Sequence, residues 1–93
     1  MLDLQSVAPE QFDAALNTAF NVSTGGSIQL IEVVRLKSPS PRPQAFSLTF
    51  SHPSAHLPQG IYELEHESLG KMAIFLTPIQ PDKRGRLFEA VFN

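Results

Sequence analysis

The sequence predicts an α+β fold, mainly β: a small antiparallel curled sheet or partly open β-barrel of five to six strands with one N-terminal helix. Three observations carry this. Apolar residues follow helical spacing only near the amino terminus, the period changes to two after Phe20, and clusters of Pro, Gly and Ser cut the remaining chain into short runs. With 93 residues there is room for one hydrophobic core, so a single domain over residues 1–93 is expected.

Phe12, Ala15, Leu16, Ala19 and Phe20 fall on one helical face and predict a helix over residues 9–19. Pro9 suits its first turn, and Glu10 and Asp13 sit where the helix dipole favours anions. A short strand is expected over residues 20–22, a turn at Gly25 and Gly26, and a long β-branched strand over 27–37. Alternation fails inside that strand: Ile28, Leu30, Val34 and Leu36 share one face, yet Glu32 falls among them while Ile31 and Val33 lie opposite. A β-bulge, a strand covered on both faces, or a half-buried carboxylate with a partner would each account for this. Three prolines in residues 38–44 predict an extended loop.

Residues 45–51 alternate cleanly, with Phe46, Leu48 and Phe50 inward and Ser47, Thr49 and Ser51 towards water. Strands over 61–66 and 71–77 are expected to form a hairpin whose turn uses the positive φ open to Gly70. Tyr62, Leu64 and His66 share one face of its first strand and Glu63 and Glu65 the other. In its second strand Met72, Ile74 and Leu76 oppose Ala73 and Phe75, so both faces are apolar and a central position is expected. A turn over 81–85 leads to a last strand over 86–92 with Phe88, Ala90 and Phe92 on one side.

The segment 57–70, L-P-Q-G-I-Y-E-L-E-H-E-S-L-G, followed by F-L-T-P-I and a terminal F-E-A-V-F-N, resembles an uncharacterised bacterial domain family. Its short proteins carry a Leu-Glu-His-x-x-Leu-Gly motif and end in aromatic-Glu-Ala-Val-Phe-Asn. Glu65, His66 and Gly70 match, whereas Glu67 stands where many relatives have proline. The resemblance spans residues 46–93 and implies an association with phage-tail-like or collar-like structural proteins. It brings no catalytic residue.

Composition narrows the functional classes. Apolar residues at 42% and charged residues at 17% suit a folded chain, and a formal charge of −2 provides no field to attract phosphate backbones or anionic lipid. Neither a nucleic-acid nor a membrane partner is therefore expected. The chain contains no cysteine, no basic and apolar leader and no run of ~20 apolar residues, so a cytoplasmic location is the expectation. No nucleotide-binding glycine loop and no nucleophile elbow occurs, so neither an enzymatic activity nor a cofactor is expected.

Several constellations remain. His52, His56 and His66 could meet at a zinc ion, but Pro53 opposes the helix that would bring the first two together. The plainer reading is two solvated loop histidines and one strand-end imidazole bonded to backbone at the hairpin, holding residues 67–70. Glu63, Glu65 and Glu67 alternate on one strand as a wet face. Lys83, Arg84 and Arg86 form the densest positive cluster, either solvated or in contact with an acidic partner, and Arg35, Lys37 and Arg42 extend it if their loops share an end. Ile31 with Val33, and Ala73 with Phe75, offer more apolar surface than one core layer needs. The expectation is an interaction or assembly module with a protein partner or a second copy of itself; a ligand- or metal-binding domain built on the three histidines and nearby glutamates is the alternative.

Overall fold

A computed structural model describes residues 2–36 and 45–92, so the expected proline loop at 38–44 lies outside the described residues. The elements are α1 (Pro9–Asp13), β1 (Ala19–Val22), β2 (Ser27–Leu36), β3 (Ala45–His52), β4 (Gly60–His66), β5 (Gly70–Asp82) and β6 (Gly85–Phe92). All six strands pair antiparallel in the order β1-β2-β3-β6-β5-β4, and β1 pairs with β4, so the sheet closes into a ring. Closure removes free sheet edges wherever neighbouring strands overlap.

The inward positions follow the two-residue period. Phe20, Leu30, Phe46, Leu48, Phe50, Met72, Leu76 and Phe88 are among the buried side chains that fill the ring. Phe46 and Phe92 stack at 4.6 Å between centroids, and Phe20 meets Phe50 edge-on at 5.2 Å. Offset and edge-on pairs of this kind suit the ring quadrupoles and add to the area buried.

At one end of the ring, here called the lower end, β3 and β5 begin and β4 and β6 finish. The N-terminal segment closes it: Leu2 N–H donates to the Lys71 carbonyl, and Phe12 packs 5.9 Å from both Phe46 and Phe92. The helix is shorter than its apolar spacing predicts. After Asp13 the bonds tighten to three-residue turns, from Ala15 N–H to the Phe12 carbonyl and from Thr18 N–H to the Ala15 carbonyl. Asn17 then takes a left-handed φ of 65°, its N–H donates to the Leu30 carbonyl, and Leu30 N–H donates to the Thr18 carbonyl. Pairing with β2 thus outcompetes the helix, which makes Ala19 the exposed start of β1 and not a fourth core position.

The irregularity in β2 is a bulge. Leu30 pairs with Phe50 and Glu32 with Thr49, leaving Ile31 as the extra residue. The inserted residue switches the faces: Val33 packs against the core, while Val34 and Leu36 turn outwards. Glu32 also has partners, accepting from Arg84 Nη1 at 2.8 Å and, more weakly, from Thr49 Oγ1 at 3.4 Å.

Two strands depart from expectation. Ser47, Thr49 and Ser51 are buried although they face outwards, because each small side chain sits between larger cross-strand neighbours: Val34 and Val91, Glu32 and Glu89, Gln29 and Leu87. The expected wet face of β3 is therefore covered. Strand β5 continues through Pro78 and Pro81, which the sequence reading uses as its end. Ser23 N–H donates to the Glu63 carbonyl, so Glu63 directs its backbone at β1 and its even-numbered neighbours direct theirs at β5. By alternation Pro78 faces the β4 side, where β4 has already ended at the Gly60–Leu76 pair. Its missing N–H therefore interrupts no ladder, as is tolerated at a strand without a neighbour.

Candidate interaction face

Outward positions on three neighbouring strands form one apolar row: Ile61 on β4 stands opposite Phe75 on β5, and Val91 lies on β6, the next strand. Ser47 on β3 and Val34 on β2 follow further round the ring. The β5–β6 ladder ends at the Thr77–Glu89 pair, and Phe75 and Val91 are the next outward positions below it on the two strands. Ile61 is 73%, Phe75 51% and Val91 53% exposed. Ala73 lies one level below Phe75 on β5. Together Ile61, Phe75, Val91 and Ala73 present roughly 300 Å² of apolar surface on three adjacent strands, the size at which a monomer's main exposed patch is often functional.

This placement sorts the residues singled out by sequence. Ala73 and Phe75 are exposed on this face, and α1 lies at the lower end and does not cover them. Ile31 and Val33 contribute nothing to it, being half-buried at the bulge and against the core, and the outward residues of that strand, Val34 and Leu36, lie on β2 further round the ring. Sequence reading missed Ile61 and Val91. The available signal for Ile61 was an apolar residue at the outward parity of a strand whose other outward positions, Glu63 and Glu65, are charged.

Glu63, Glu65 and Glu89 border the row, and none has an ion pair among the described residues. Lys71 stands opposite Glu65. The basic turn lies elsewhere, beyond the upper end of β5 and β6. Within it Arg84 is committed, its guanidinium bonding Asp82 Oδ2 at 2.8 Å and Glu32 Oε2 at 2.8 Å. These bonds hold the Asp82 carboxyl below its usual range and push the guanidinium up. Lys83 and Arg86 are exposed. Arg35 does not join them. It donates to both Asp13 oxygens at the lower end, lowering that carboxyl and raising its own pKa. Lys37 and Arg42 lie outside the described residues.

The imidazoles do not converge. His52 ends β3 at the upper end, where its Nδ1 accepts the Ser54 and Ala55 N–H groups, and Ser51 faces the opposite side of the strand, so the two form no nucleophile and base pair. His56 is exposed in the following loop. His66 ends β4 at the lower end. Its Nδ1 accepts Ser68 and Leu69 N–H at 3.0 and 3.3 Å, and its Nε2 lies 2.8 Å from Thr18 Oγ1, which donates to the Ala15 carbonyl at 2.5 Å. Among the described residues no group of three His, Asp or Glu is placed to hold a metal ion. Two shallow grooves occur among them, of ≈ 220 Å³ over Asn21, Glu63, Glu65 and Lys71 and of ≈ 400 Å³ over Gln29, Ser51, His52 and Arg84. No described helix is long and apolar enough to cross a membrane.

The profile of a sequence family described as a domain of unknown function, DUF6916, matches residues 7–92. The chain belongs to this family. Searches of curated proteins and of solved structures find no match. The DUF6916 match begins at Val7, a core residue of the lower lid, and ends at Phe92, the inward terminus of β6, so it takes in every strand of the ring.

Within this DUF6916 chain the segment Leu-Glu-His-x-x-Leu-Gly at 64–70 has a plain physical function. Leu64 and His66 point inward, Glu65 points out, Leu69 packs on the core, and Gly70 supplies a φ of 80°. His66 accepts the turn's N–H groups on one ring nitrogen and binds the lid through the other. Because Nδ1 accepts and Thr18 has already directed its hydroxyl proton at Ala15, the ring proton resides on Nε2.

Proposed function

We propose that this domain is a non-enzymatic interaction module that docks a protein partner on the outer face centred on Ile61, Phe75 and Val91. The contiguous exposed row is the observation that carries the reading. Burying roughly 300 Å² of apolar surface is worth about 8 kcal/mol gross, within the ~4–15 kcal/mol that association costs. The row alone about breaks even, so a partner must also match its polar border. The family resemblance supports a bacterial setting for such a module, beside phage-tail-like structural proteins, as an accessory of assembly, and the cysteine-free composition fits a cytoplasmic location.

The test introduces a photo-cross-linking side chain at Ile61, Phe75 or Val91, with the exposed Thr24 and Lys83 as control positions, in cells of the source organism. The expected outcome is one discrete adduct from the three face positions and none from the controls. Adducts independent of position, or none at any position, would refute a docking role for this face.

A further inference from the structure

Resting on that reading, we infer that the occupant of the face is a protein segment whose apolar side chains are flanked by lysine or arginine. The charge distribution supports this. Glu63 and Glu65 lie on β4 one and two levels below Ile61, and Glu89 lies on β6 one level above Val91; none is ion-paired among the described residues. Lys71 alone opposes them on this face among the described residues. The remaining described cations are turned away or committed: Arg84 bridges Glu32 and Asp82, Arg35 holds Asp13, and Lys83 and Arg86 sit at the upper end.

A second copy brings the same carboxylates to the same apolar row, so part of its border meets like charge, whereas a basic border meets opposite charge at Glu63, Glu65 and Glu89 and like charge at Lys71 alone among the described residues. Complementary charge at the rim acts mainly on encounter and selectivity, and it weakens with salt. Each exposed pair contributes roughly 1.5- to 5-fold in affinity, so three carboxylates together select a basic border by about tenfold.

The experiment titrates the ¹⁵N-labelled full chain with two synthetic peptides of identical apolar centre, one flanked by lysines and its twin by glutamates, at low and high salt. The expected result is perturbation of the Ile61, Phe75 and Val91 amides by both, with the lysine peptide binding about tenfold tighter and losing that advantage at high salt. In Glu63→Lys/Glu89→Lys, whose fold is checked by circular dichroism, the preference disappears or reverses. Equal binding of the two peptides at these amides overturns the basic partner but leaves the docking face standing. Shifts of the same amides on concentrating the protein alone identify a second copy and also overturn the inference. No perturbation by either peptide, with a concentration-independent monomer, overturns both readings.

Discussion

Replacing His66 tests whether the hairpin and the N-terminal lid are joined through one ring. The imidazole makes three hydrogen bonds, two accepted from the turn and one shared with Thr18, and its ring lies 4.5 Å from that of Phe20. At about 0.5–1.5 kcal/mol each, three bonds are worth ~3 kcal/mol. Truncating the ring also opens a gap beside Phe20, so His66→Ala is expected to cost about 3–5 kcal/mol. For a domain of this size that lowers Tm by roughly 15–30 °C. His66→Asn separates the terms, because its short amide oxygen reaches the Ser68 and Leu69 N–H groups but not Thr18. It should fall between wild type and His66→Ala. Thr18→Val removes the lid side alone, and a double-mutant cycle between Thr18→Val and His66→Ala should give a coupling of about 1 kcal/mol. Urea unfolding followed by circular dichroism reads wild type, the three single variants and the double variant. If the two substitutions add with no coupling, or if His66→Asn is as damaging as His66→Ala, the ring does not tie the two elements together.

Phe12→Ala should cost about 3–5 kcal/mol in urea denaturation, since it empties the contact of the lid with Phe46 and Phe92; Phe75→Ala, on the outer face, should stay within ~0.5 kcal/mol of wild type. Gly85→Ala should destabilise by about 1–3 kcal/mol, because φ is 112° and an added Cβ would lie 2.6 Å from the His52 carbonyl oxygen; Gly25→Ala, with a similar φ but open space around it, should cost less in the same measurement. Asp13 and Asp82 are each held below the ordinary carboxylate value of 3.8 by an arginine, so their share of stability is complete above that value and is lost as pH falls through their lower folded values. Carbon-detected NMR titration should find both midpoints below 3.8, and Arg35→Gln or Arg84→Gln should return the corresponding midpoint towards it.

The alternating strands were legible in the sequence because burial on one face leaves a direct mark on composition. Phe46, Leu48 and Phe50 in β3, and Leu64 and His66 in β4, all point inward as their period requires. The bulge was legible as a fault at Glu32, but not its consequence that Val33 and Val34 exchange faces, because one inserted residue reverses every side chain after it. The helix was overestimated since a three-residue turn keeps Phe12 and Ala15 on one side as well as an α-helix does. Strand β5 was underestimated because proline reads as a breaker unless the absence of a neighbour is known, and neighbours are a property of the ring. The same holds for the candidate face. Phe75 carried a signal in its own strand, whereas Ile61 and Val91 acquire meaning only beside it.

The four residues of β1 have a consequence for how the ring behaves as an object. Only two β1–β4 residue pairs join the first strand to a partner more than forty positions away, whereas β3 and β6 share seven. The clasp is therefore the shortest splice in the hoop and spans a long stretch of chain, which makes it the last join to form and the first to part under strain. Opening there leaves β1 on β2 through its three pairs and all six strands laced into one open sheet, so the molecule can breathe along one line without unravelling.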